Sequence, residues 1–382
     1  MQPNNLFECK QTKPTLLEQF GLYYLRFFKK IDTNHTVFNY TDEHINKKVK
    51  RITFQAIILA CVVGAVCVFP TVWVDVYFGT NTALIHYSWV IGVTILSVVV
   101  ELYLLFIIAL RAVYKVSELI NLNTAENDLL NDGLFSVKNI LARAALELPD
   151  PEMKLMGIDP FKKISKKNIL VLSLIYKAKI FVTNIIVKYG LIFFVGKTIF
   201  GVSILYEAIL VECFWNSVVI IKVVKDARLR LFGFALANQI GRHCLQDGML
   251  QKLSTLAKKN CLRAIGNAVV MTQNYHPNMV ILFIRFQQIF NITEIDEYDN
   301  WQKFIDELKK VSTEEKYFLL DLFTVAAAFD SKLSPLENSH LAEAYGEHFA
   351  IYKNRLNILT QHLQKGKLNA ALQECKLDFV AG

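Results

Sequence analysis

Residues 52–74 form an apolar run of 23 residues without a formal charge, and residues 88–110 form a second of equal length interrupted only by Glu101. About 20 apolar residues suffice to carry a helix across a bilayer core. These two runs fix the chain as an integral membrane protein before any other residue is considered.

A third apolar block, residues 169–221, is interrupted by Lys177, Lys179, Lys188, Lys197, Glu207 and Glu212. It divides into a helix over about 173–195, a turn at 196–198 and a helix over about 199–221. Basic clusters flank the blocks. Lys47, Lys48, Lys50 and Arg51 precede the first span, and Arg111 and Lys115 follow the second. Lys162, Lys163, Lys166 and Lys167 precede the third, and Lys222, Lys225, Arg228 and Arg230 follow the fourth. Basic residues at span ends stay on the cytoplasmic side. All four clusters agree on four spans with both termini inside. The net charge of +8 is accounted for by these flanks, which face the lipid bilayer, and requires no nucleic acid.

The sequence therefore predicts an all-α polytopic protein with four transmembrane helices in two hairpins and a C-terminal cytosolic helical bundle. Residues 1–51 are an N-terminal cytosolic or interfacial region. Residues 52–110 make the first transmembrane hairpin, 111–168 a cytosolic helical connection, 169–221 the second hairpin and 222–382 the cytosolic domain. Within the first region, residues 15–30 set seven apolar and aromatic residues at helical spacing and close on Lys29 and Lys30. That pattern fits a helix in the headgroup zone and equally an amphipathic helix packed on the protein's own cytosolic part. The run 279–290 is too short to span and contains Arg285, so it reads as a core helix started by Pro277.

Four ionisable residues fall at predicted membrane depth: Glu101, Lys188, Glu207 and Glu212. Lys188 and Glu207 stand nine and ten residues from Lys197 at the turn, hence at similar depth for a rise of about 1.5 Å per residue. Their pairing would offset the cost of burying either charge. Glu101 and Glu212 share a second level. Such a set either holds helices in register or lines an ion or proton path. The cytosolic domain is split in charge. Residues 222–290 carry ten Lys or Arg against two acids, and residues 291–350 five against thirteen. The acidic helices of 291–350 are the expected docking face for a cytosolic partner.

Seven cysteines at irregular spacing, without a CxxC pair, exclude a disulfide framework. Residues 190–198 approach a phosphate-binding loop but put five residues where that motif needs four. No catalytic constellation is visible, and no catalytic or cofactor-binding residue is assigned.

The most patterned soluble stretch is residues 312–346. Ser312, Thr313, Glu314 and Glu315 make a capping box, and Ser334, Pro335, Leu336 and Glu337 make a second with Pro335 at the first helical position. Ala326 to Asp330, followed by Leu333 to Glu337, resembles the TerB-like helical domain of tellurite-resistance proteins, here around residues 300–365. The membrane half, with Gly266-Asn-Ala and Gln273 to Pro277, is similar to a group of four-span bacterial membrane proteins. The resemblance implies a bacterial cytoplasmic membrane, a non-enzymatic interaction or stress-response module, and a divalent metal held by Asp330 and Glu337, with Asp321 as a third ligand. The alternative is a small channel or transporter, assembled as a homo-oligomer, that uses the intramembrane Glu and Lys residues.

Overall fold

The computed structural model describes residues 16–31, 41–78, 83–120, 136–146, 148, 158, 204–246, 248, 251–272, 276–292, 294, 296–331 and 335–380. Among them the secondary structure is helical, without strands. The predicted third span and its turn lie outside the described residues.

Helix α1 (Leu16–Ile31) precedes two 37-residue helices, α2 (Asp42–Phe78) and α3 (Ala83–Leu119). The four residues 79–82 join α2 to α3, so the two run antiparallel, and they pack side by side. Both are long and apolar enough to cross a membrane, and only 22% and 17% of their apolar windows are buried inside the molecule. A soluble core helix of this composition would bury most of that surface. Here Phe54, Val62, Val66, Phe69 and Trp73 on α2, and Ile91, Ile95, Leu96 and Val99 on α3, face outward. An apolar surface of this extent marks a contact face for a membrane or another protein. Near the α2–α3 connection, Trp73 stacks on Tyr77 and Tyr87 lies edge-on to His86.

Helix α1 packs on the protein's own helices, the second of the two expectations for its residues. Leu25 and Gly21 pack inward, and a Cβ at Gly21 would sit 2.9 Å from Ala142 Cβ. Ala142 belongs to α4 (Val137–Ala145), capped by Ser136, and the buried Arg143 of α4 pairs with the buried Glu18. The opposite face of α1 leaves Leu16, Tyr23 and Phe27 exposed. Tyr24 closes the contact with α3 through a 2.6 Å bond to the Tyr103 hydroxyl.

Helix α5 (Ile204–Gln246) runs unbroken for 43 residues. Its first half packs on α2 and α3 and exposes Leu210 and Phe214, whereas its second half buries Leu231, Phe232, Phe234 and Leu236 in the bundle core. No Gly or Pro occurs between residues 204 and 232, so nothing in the backbone interrupts the helix at the composition shift near residue 221.

The bundle comprises α6 (Thr255–Thr272), α7 (Pro277–Phe290), α8 (Trp301–Leu308), α9 (Thr313–Ala328), α10 (Pro335–Tyr345), α11 (Phe349–Lys365) and α12 (Leu368–Glu374). Helix α6 packs on α9, and α7 seals α5 against α6. As the sequence predicts, Pro277 and Pro335 open their helices and α7 is core, with Met279 to Phe283 fully buried. The Ser312–Glu315 capping box is present in both directions. Glu315 also accepts the Ser254 N–H at 2.6 Å, tying the start of α9 to the start of α6. The second box lies outside the described side chains.

Two joints lock the bundle to the spans. The Asp42 carboxylate, at the start of α2, accepts the N–H groups of Asn369 and Ala370 at 2.7 and 3.0 Å, and so caps α12. Arg228 of α5 donates to the Gln364 carbonyl at 2.9 Å and to Asn46 of α2 at 3.4 Å, a cation placed at the C-terminus of α11. Gly366 ends α11 at φ +72°, and any Cβ there would strike the Arg228 guanidinium at 2.6 Å.

Candidate functional site

The seam where α2, α3 and α5 meet holds two of the four ionisable residues that the sequence puts at membrane depth. Glu101 of α3 and Glu212 and Asn216 of α5 are buried there. Asn216 Nδ2 donates to Glu101 Oε1 at 2.8 Å and to the Ala60 carbonyl of α2 at 3.4 Å. One amide thereby ties three helices together. Glu212 lies one turn before Asn216 on the same face of α5. Gly64 of α2 makes the approach close, since a Cβ there would lie 2.7 Å from Asn216 Nδ2 and 3.3 Å from Glu212 Cβ.

Beside the carboxylates, Cys61 and Cys213 exchange thiol donors with each other's backbone carbonyl, at 3.5 and 3.4 Å. Ser217 donates back to the Cys213 carbonyl at 2.6 Å and touches Cys61 Sγ at 3.3 Å. Small polar side chains that bond across a helix crossing are the usual adhesive where lipid removes the hydrophobic drive between helices. In chemical terms the seam offers carboxyl oxygens positioned by an amide in a water-poor setting, a group able to hold a proton or to fix helix register.

The sequence expectation puts Glu101 and Glu212 at one level; in the structure Glu101 bonds Asn216, and Glu212 precedes Asn216 by one turn of α5. Lys188 lies outside the described residues, as does the side chain of Glu207, so their pairing does too. Asn216 and Gly64 are participants that sequence reasoning missed. The only signals were an Asn inside an apolar run and one small residue facing it.

Several acids of the C-terminal bundle are turned inward or paired. Arg263 of α6, whose side chain is only 2% exposed, pairs with both Asp296 and Glu307. Lys303 adds a 2.9 Å bridge to Asp296, and Lys259 reaches Glu294 at 2.7 Å. Asp321 is fully buried and receives Arg355 and the Asp378 N–H, the latter at 3.1 Å. Burial pushes its carboxyl up to about 7, against the downward pull of Arg355 and that N–H. Among the acids of residues 291–350, Glu294, Glu297, Glu314, Glu343 and Glu347 remain exposed, Glu294 while bonded to Lys259.

Of the residues proposed as metal ligands, Asp321 is committed to Arg355 and Asp330 is buried just past α9. The Glu337 side chain lies outside the described residues. Among the described residues, no three His, Cys, Asp or Glu side chains gather as a metal site.

The basic flanks divide in two. Lys47, Lys50, Arg51, Lys222 and Lys225 are exposed and Lys48 is half-buried. Arg228 is drawn into the joint with α11, and Arg230 is buried with its guanidinium 2.7 Å from Asp226.

Comparison with protein-family models, curated proteins and solved structures gives no match.

Proposed function

We propose that this chain is a non-enzymatic membrane scaffold, which holds a helical interaction module rigidly against the cytosolic face of a bacterial cytoplasmic membrane. The observation that carries this reading is the continuity of α5, together with the Asp42 and Arg228 joints. A domain merely tethered to a membrane needs only a linker. Here one 43-residue helix serves both the lipid-facing seam and the soluble core, and the start of α2 caps α12. Such coupling suits a module whose position relative to the bilayer matters. In this reading residues 300–365 form a TerB-like stress-response domain, and the exposed acids Glu297, Glu314 and Glu347 contact a basic cytosolic partner.

The test is crosslinking of the full chain in native membranes, with partners identified by mass spectrometry. A soluble partner that is lost at high salt and in the Glu297→Gln/Glu314→Gln/Glu347→Gln variant supports the scaffold. A partner set unchanged by that variant rules out the acidic face.

A second reading, an oligomeric proton or ion path, is favoured by one observation: Glu101 and Glu212 are both buried at the seam of α2, α3 and α5. It predicts self-crosslinked oligomers and a flux in liposomes that Glu101→Gln alters. Absence of flux from the parent protein would exclude it.

A further inference from the structure

Where α5 leaves the predicted membrane zone, it borders a cavity of about 730 Å³ that also touches α4, the end of α9 and α11. Its wall is zoned. On the span side it is lined by Val218 and Ile221, with Ala144 and Leu148 beside them. One residue further along α5 the lining becomes mainly cationic, with Lys222, Lys225, Arg228 and Arg230 against the single acid Asp226, and Leu229 and Leu363 between them. Arg228 and Arg230 are fixed by their bonds to Gln364 and Asp226, whereas the two lysines are exposed arms at the rim. The volume falls in the range of small-ligand sites, about 300–1,000 Å³.

We propose that this cavity binds the phosphate-bearing headgroup of an anionic phospholipid. Three features converge on it. The cations outnumber the acid, so the cavity favours a negative ligand. The apolar wall faces the bilayer, where the first acyl methylenes of a lipid would lie. The transition between the two zones falls at the level where α5 stops exposing large apolar side chains, Val218 being the last of them. Basic pockets beside membrane helices on the cytoplasmic side recognise lipid headgroups by this combination of charge and depth. A soluble phosphate compound would satisfy the cations but leave the apolar wall uncovered. The inference rests on the membrane reading of α2, α3 and the first half of α5, and resistance to carbonate extraction reports on that reading separately.

The experiment is native mass spectrometry of the detergent-purified full chain, titrated with phosphatidylglycerol, phosphatidylcholine or inorganic phosphate. One phosphatidylglycerol per chain is expected, retained in preference to phosphatidylcholine. Lys222→Gln/Lys225→Gln should weaken retention on the order of tenfold or more, since each lysine near an anionic surface contributes a several-fold factor. Both positions are exposed, so folding is preserved, and an unchanged thermal transition checks this. Lys47→Gln/Lys50→Gln removes equal charge from the same membrane face without touching the cavity, and should leave retention intact. Equal loss in the two double variants would reduce the effect to general surface charge and overturn the site. Displacement of the lipid by millimolar inorganic phosphate, or equal retention of phosphatidylcholine, would overturn the lipid assignment.

Discussion

Replacing Gly266 with alanine should destabilise the C-terminal bundle, although intrinsic helix propensity argues the reverse. Within a helix, Gly→Ala is favourable by about 1 kcal/mol. In α6, however, the new Cβ would press inside contact distance of the Tyr298 carbonyl oxygen and lie 2.9 Å from its carbon. The obstacle is backbone, so rotamer adjustment cannot relieve it, and the 296–300 strap must move away. Overpacking of this kind costs about 1–3 kcal/mol. The strap also carries the Tyr298 and Asn300 carbonyls that Asn267 reaches at 3.5 and 3.4 Å, and Asp296, which pairs with the buried Arg263. Uncoupling a buried ion pair costs up to about 3–5 kcal/mol. Partial loss of that pair, added to the steric cost and offset by propensity, leaves a net destabilisation of roughly 2–4 kcal/mol. The assay is thermal unfolding of the full chain in detergent, with hydrogen exchange followed over residues 296–308. Gly92→Ala is the control: nothing lies within 4 Å of the point its Cβ would occupy, so it should be neutral or slightly stabilising. A Gly266→Ala protein at least as stable as the parent, with unchanged protection over the strap, would refute the steric argument.

Glu101→Ala should loosen the α3–α5 contact by about 0.6–2 kcal/mol because the Asn216 amide loses its acceptor, whereas Glu101→Gln, which keeps a carbonyl oxygen, should retain most of it; thermal unfolding in detergent distinguishes them. Arg355→Met should free the chain after α12, since Arg355 donates to the carbonyls of Glu374 and Lys376 as well as to Asp321. Burial already raises Asp321 to about 7, and loss of the cation would raise it further, so the folded state takes up a proton as pH falls. The variant should therefore be less destabilised at pH 6 than at pH 8, and equal deficits at both would contradict this. Burial alone would raise the Asp296 carboxyl, but the Lys303 ammonium, the Glu297 N–H and the Arg263 charge hold it at about 2, below its ordinary 3.8. Its contribution is complete above about pH 4 and is lost as pH falls through 2, so Lys303→Met should flatten the acid limb of the stability profile between those values.

The two long apolar helices α2 and α3 were legible because apolar runs of 23 residues admit few folded solutions. The helix starts at Ser312, Pro277 and Pro335 were legible because capping is local chemistry. Local chemistry also explains what was not legible. The shift from apolar to basic near residue 221 reads as a boundary, yet a helix is stopped by backbone features, and α5 has no Gly or Pro until Gly233. At Gly233 a Cβ would lie 2.6 Å from that of Asn278, whose amide bonds the Leu229 and Phe329 carbonyls at 3.0 and 3.2 Å. That glycine therefore marks a close helix crossing and not a break. Likewise Arg228 and Arg230 have the sequence signature of lipid-facing flanks. Their roles depend on Gln364 and Asp226, and no short-range pattern separates them from Lys222 and Lys225.

The charge split illustrates the same limit. A block of +8 followed by one of −8 suggests two surfaces, one for lipid and one for a partner. In the fold the blocks meet: Arg263 takes Asp296 and Glu307, Lys259 takes Glu294, and the Ser254 N–H takes Glu315. Net charge along a chain cannot separate a surface field from a pair of complementary halves, because the distinction lies in which side chains face each other. The consequence for function is direct. A docking face on residues 291–350 is narrower than its thirteen acids imply, and its strength must come from the few exposed carboxylates, Glu297, Glu314, Glu343 and Glu347 among them. Screening should therefore weaken partner binding while leaving the buried Arg263 pairs intact, since exposed charges lose most of their interaction beyond a Debye length of about 8–10 Å and buried ones do not.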